Sequence, residues 1–205
     1  MRQDLGETQD HLERVSSFKR DLAAADQNVL AVIQRHITTG APIHVDEGAY
    51  FRLRREISER IAVHPNNVIA VGSCRMGFSL KKKGHSQARY HPTQPGADVD
   101  VAVVSSTLFD RYWDRVHDYF QSRHDWALSD AGRLFARDLF CGWITPEKLP
   151  LIPRFDEAAV WRDLFDDLTR RRVCGIRTVK GRLYRDWGRL EAYQLRMVLE
   201  CRSEL

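Results

Sequence analysis

Two short apolar runs, Val68-Ile69-Ala70-Val71 and Val99 to Val104, constrain the fold of this chain more than any other feature. Both are rich in β-branched residues, both are too short for a helix, and the second is interrupted only by Asp100, so each predicts a buried central strand. Most of the remaining chain carries helical spacing instead. Between residues 3 and 36, Leu5, Leu12, Val15, Leu22, Leu30 and Ile33 recur at helical intervals among charged side chains, predicting one long amphipathic helix or two. Thr38 to Pro42 breaks this pattern. Tyr50, Phe51, Leu53, Ile57 and Ile61 then form a second stripe, which His64-Pro65-Asn66-Asn67 terminates.

Beyond the second strand, helices are expected over Leu108 to His124, over about 130–141, from about Asp156 to Arg172, and from Trp187 to Cys201. Val173 to Tyr184 reads as extended structure with a turn at Lys180-Gly181. This order predicts an α/β or α+β protein built on a small mixed sheet. At 205 residues the expectation is a single domain, 1–205, with residues 1–63 as a helical extension packed on a core and C-terminal helix at 64–205.

Composition narrows the class. No apolar run approaches the roughly 18–20 residues of a membrane span, and the start of the chain has no apolar core behind a basic segment, so a cytoplasmic protein is expected. The four cysteines form no CxxC pair, which argues against a disulfide framework or a zinc ribbon. The five tryptophans are expected to anchor helices in the core. Net charge is only +4, yet residues 170–205 hold ten basic side chains against four acidic ones. That imbalance makes RNA, tRNA especially, a candidate partner.

Asp98 and Asp100 open the second strand. Side chains two apart on a strand share a face, so the two carboxylates would lie a few ångströms apart and repel unless a cation joins them. A hard, oxygen-seeking ion such as Mg²⁺ or Mn²⁺ resolves the repulsion, and a nucleoside triphosphate commonly completes its ligands. Gly72-Ser73 ends the first strand, offering backbone N–H groups and a hydroxyl to phosphate. The 24 residues between Ser73 and Asp98 include Lys81, Lys82 and Lys83 among Gly, Pro and His. They read as an exposed basic loop at the mouth of any site, suited to phosphate or RNA.

In its apolar strand, Gly-Ser, spacer and Asp-apolar-Asp strand (VIAVGSCRMGFSL…ADVDVAVVS), the chain resembles the DNA polymerase beta-like nucleotidyltransferase superfamily, in particular its small stand-alone bacterial type, over roughly residues 64–125. The fold this implies is α+β, a small mixed β-sheet of the nucleotidyltransferase type flanked by helices, with N-terminal helices. By the same resemblance Gly72 and Ser73, assisted by Lys81, Lys82 and Lys83, would hold the triphosphate. Asp98 and Asp100 would bind two Mg²⁺ ions, and a nucleoside monophosphate would pass from the triphosphate to a hydroxyl of RNA, protein or a small molecule. Such proteins occur in toxin–antitoxin and phage-defence systems, which suggests a similar setting. The family also takes a third carboxylate from a later strand beside the Asp-x-Asp strand. Here VCGIRTVKGRLYRDW offers Lys and Arg, with Asp186 at its end as the candidate third acid. A third acid converging on Asp98 and Asp100 would favour the transferase; Lys or Arg in its place would favour a catalytically silent relative that binds nucleotide, RNA or a partner protein.

Overall fold

A computed structural model describes residues 2–43, 45–82, 88–94, 96–122, 125–150, 155–175 and 177–205. The chain opens with α1 (Arg2–Ala23) and α2 (Val29–Ile33), the latter running into a π-helical turn at Gln34–Thr38. The side chain of Asn28 accepts from the Ala31 N–H and so caps α2. Next comes α3 (Glu47–Ile61), started by the Asp46 carboxylate accepting from Ala49 N–H and stopped by Ala62 in the left-handed region. β1 (Val68–Val71) is followed directly by a short helix, α4 (Gly72–Met76), and then by β2 (Phe78–Ser79), β3 (His91–Pro92) and β4 (Val99–Val104). α5 (Ser106–Ser122), α6 (Asp125–Leu128) and α7 (Asp130–Cys141) lead to β5 (Trp143–Ile144), α8 (Asp156–Arg170), β6 (Val179–Tyr184) and α9 (Trp187–Arg202). The protein is a mixed α+β structure, and no helix among the described residues is long and apolar enough to cross a membrane.

The main sheet has the order β1-β4-β6-β5. β1 runs antiparallel to β4, β4 parallel to β6, and β6 antiparallel to β5. Alternation along β4 divides the interior. Val99, Val101 and Val103 face Leu53 and Ile57 of α3, Tyr112 and Val116 of α5, and Leu164 and Phe165 of α8. Ala102 and Val104 face the other way, into a cluster with Phe18 and Leu22 of α1, Ile33 of α2 and Leu190, Val198 and Cys201 of α9. The N-terminal helices therefore cover both faces of the sheet. β4 is central as expected, but β1 lies at the edge of the sheet rather than at its centre; this leaves the Ala70 N–H without a ladder partner, and the buried Tyr50 hydroxyl accepts it at 3.1 Å.

The structure departs from several expectations. Lys180-Gly181 makes no turn; β6 passes straight through it. Gly181 is required by packing, because a Cβ there would lie 2.1 Å from Phe165 Cζ. The expected basic loop is partly built into the fold. Phe78 and Leu80 are buried, Phe78 and Tyr90 pack on Phe18, and Thr93 Oγ1 donates to the Ser73 carbonyl at 2.7 Å. Of the tryptophans, Trp161 is fully buried, whereas Trp113 and Trp187 are exposed.

Candidate functional site

The antiparallel pairing of β1 with β4 sets Val71 opposite Asp100, so the end of one strand meets the beginning of the other. Gly72 follows at φ +69°, a left-handed conformation that glycine adopts freely. The close approach has a second cause, since a Cβ on Gly72 would lie 3.2 Å from Asp100 Oδ2. Gly72, Ser73 and Asp100 thus share one cleft.

On the opposite side of β4, the parallel pairing with β6 sets Asp100 opposite Lys180 and Ala102 opposite Arg182. Lys180 forms an ion pair with Asp98. Arg182 lies deeper, its guanidinium 4.5 Å from the centre of the Tyr193 ring on α9 and its Nε 3.4 Å from Thr145 Oγ1. Past β5 the chain makes a tight turn at Pro146–Lys148, which brings Glu147 and Lys148 to the rim. The cleft has two joined compartments of about 270 and 130 Å³, together at the small end of the roughly 300–1,000 Å³ range of ligand sites. Gly72, Lys81, Asp100 and Gln194 line both compartments.

Charge in this cleft is mostly positive. Lys81, Lys148, Lys180 and Arg182 line it, against Asp100 and Glu147. The Asp100 carboxylate is open toward the cleft, but the protein behind it removes enough water to raise its pKa above the ordinary carboxylate value. Lys81 opposes that rise, Asp98 adds to it, and Lys180 and Arg182 oppose it more weakly. Lys180 is held more firmly charged than a free lysine, chiefly by its hydrogen bond to Asp98, with Asp100 and Glu147 contributing at longer range.

No protein-family model, curated protein or solved structure matches this chain. The site is therefore read from its own residues. Gly72, Ser73, Lys81 and Asp100 line one cleft, and Asp98 is held by Lys180. Lys82 does not join them; it pairs with Glu204 at 2.9 Å. Lys83 lies outside the described residues.

Asp186 is the clearest departure from expectation. β6 runs parallel to β4, so its first residues, not its last, lie beside Asp100. Asp186 falls six residues beyond Lys180, past the far end of β6 at Tyr184. There it caps α9, accepting from the Arg189 N–H at 2.8 Å. Glu147 is the acid that lines the cleft together with Asp100, and its place after a two-residue strand left no periodic signal to find it by.

The donor set tests whether two Mg²⁺ or Mn²⁺ ions fit. Such ions require near-octahedral oxygen ligation and shared carboxylates. Among the described residues no group of three His, Cys, Asp or Glu side chains comes together as ligands. Asp98 already holds an ammonium, and Lys81, Lys180 and Arg182 all act on Asp100. A dication placed between the two aspartates would meet these cations at short range. The residues present do not fit a two-metal centre.

Proposed function

We propose that this chain is a catalytically silent relative of the polymerase beta-like nucleotidyltransferases, one that binds a nucleoside triphosphate in the Gly72–Asp100–Lys180 cleft without transferring its nucleotide. The observation that carries this reading is the register of β4 with β6, in which Lys180 stands opposite Asp100 where a transferase would use an acid. The Gly-Ser end of β1 against the Asp-Val-Asp start of β4 supports the family, and the cationic lining supports a phosphate ligand.

RNA binding through the basic loop and C-terminal segment is less favoured, because several of the described charges there are taken up by neighbouring acids. Arg171 pairs with Glu56 and Asp167, Arg185 with Asp110, Arg196 with Glu200, and both Lys82 and Arg89 with Glu204. Arg177 is buried, with its guanidinium 3.8 Å from Cys74 Sγ. A cytoplasmic location, where nucleoside triphosphates are abundant, suits this reading.

The transferase is the second reading, favoured by the contact of Gly72 with Asp100 and by Glu147 at the same cleft. One experiment separates the two. Each α-phosphate-labelled nucleoside triphosphate is incubated with the protein, Mg²⁺ or Mn²⁺, total RNA and cell protein, and wild type is compared with an Asp98→Ala/Asp100→Ala variant. The proposal expects bound nucleotide at equilibrium and no covalent label. Label transferred by wild type alone would overturn it in favour of the enzyme.

A further inference from the structure

We propose that the cleft takes the polyphosphate part of its ligand without a bridging divalent cation, the Lys180 ammonium occupying the space such a cation would need. This inference rests on the nucleotide-binding reading and goes beyond it by stating how the phosphates are neutralised.

Three observations carry it. Lys180 is fixed by strand register, opposite Asp100 on the neighbouring parallel strand, and its ammonium rests on Asp98. A cation is therefore already on the Asp98 carboxylate, one of the two that a bridging metal would require. Arg182 follows two residues later on the same face, half-buried and turned into the cleft against Tyr193 and Thr145, while Lys81 approaches from the β2 side. Guanidinium and ammonium groups arranged on two sides of a cleft bind phosphate oxygens through charge-assisted hydrogen bonds. Finally, the Lys180–Asp98 pair is about half-exposed at both side chains, 54% and 44%, so Lys180 can turn from Asp98 to a phosphate without unfolding the strand. Metal-free polyphosphate also carries more negative charge than its Mg²⁺ complex, which suits a lining with more cations than carboxylates.

The test is calorimetric titration of the full chain with ATP and with inorganic triphosphate, in EDTA and in Mg²⁺. ATP is expected to bind at least as tightly in EDTA as in Mg²⁺, and inorganic triphosphate to displace it. Lys180→Ala is expected to weaken binding in EDTA by about tenfold, the scale of one hydrogen bond to a charged group, and Lys180→Arg to restore most of it. Lys180→Asp, which supplies a third acid, is expected to bind ATP only when Mg²⁺ is present; circular dichroism checks that each variant is folded. Wild-type binding that requires Mg²⁺ would overturn this inference and leave the nucleotide-binding reading standing. ATP binding that inorganic triphosphate cannot displace would overturn it as well, by showing that base and ribose dominate. Absence of nucleotide binding in both buffers would overturn the two readings together.

Discussion

Gly72 abuts Asp100 so closely that a single methyl group on its Cα would lie 3.2 Å from the Asp100 carboxylate. The left-handed backbone at Gly72 adds an independent penalty for any side chain, of order 1–3 kcal/mol. Gly72→Ala is expected to lower stability by about that amount and, by displacing Asp100, to weaken nucleotide binding by tenfold or more. Thermal melting and titration with ATP measure the two effects separately. A variant with wild-type affinity would show that the cleft does not depend on this approach.

Gly181 is constrained for a different reason, by packing alone. Its missing side chain leaves room for the Phe165 ring, which would overlap a Cβ at 2.1 Å. Gly181→Ala must displace either α8 or β6, an overpacking cost of about 1–3 kcal/mol. Combining it with Phe165→Leu should recover part of the loss, and denaturant unfolding of the single and double variants tests this coupling.

Tyr50→Phe removes one oxygen atom and leaves the Ala70 N–H buried without a partner. The expected loss is about 1–3 kcal/mol, with no effect on nucleotide affinity beyond that of stability. Chemical denaturation checks the first part. Faster hydrogen exchange confined to β1 would locate the effect.

Glu204 joins the end of α9 to the segment that carries Lys81. It receives two hydrogen bonds from the buried Arg89 guanidinium, at 2.8 and 2.9 Å, and pairs with Lys82, while Arg89 Nη1 donates to the Leu80 carbonyl at 2.6 Å. These partners hold the Glu204 carboxyl down to about 2, with Arg89 the larger cause. A depressed carboxyl favours the folded state above its ordinary value of 4.5, and that contribution fades as pH falls from there toward 2. Glu204→Gln is expected to speed hydrogen exchange at residues 80–82 and 88–90 at neutral pH. The difference from wild type should shrink below about pH 4. Identical exchange at neutral pH would mean that the segment is held by Leu80 and Phe78 alone.

Much of this architecture could be read from periodicity, because the strands are apolar runs and the helices carry clear stripes. The neighbourhood of Gly72 and Asp100 was also accessible, since two consecutive buried strands commonly pair. Three features were not. Lys180-Gly181 has turn composition, and only the Phe165 ring, distant in sequence, explains the glycine. Asp186 could be assigned to the site only by leaving open the direction of β6; the parallel pairing moves it to the opposite end of the sheet. Finally, Lys81 and Lys82 are chemically alike and adjacent, and what separates the cleft lysine from the bridging one is the position of Glu204, more than 100 residues away.

The central pairing of β4 with β6 joins segments that end and begin 75 residues apart, at Val104 and Val179, with α5, α6, α7, β5 and α8 between them. Closing so long a loop costs entropy before any strand contact repays it, so this pairing is expected to form late in folding. Lys180 and Arg182 arrive with that strand, and the cleft is incomplete until they do. Ligand affinity is thus tied to a late step of assembly, and nucleotide added during refolding should act on the finished protein, slowing its unfolding while leaving its rate of formation unchanged.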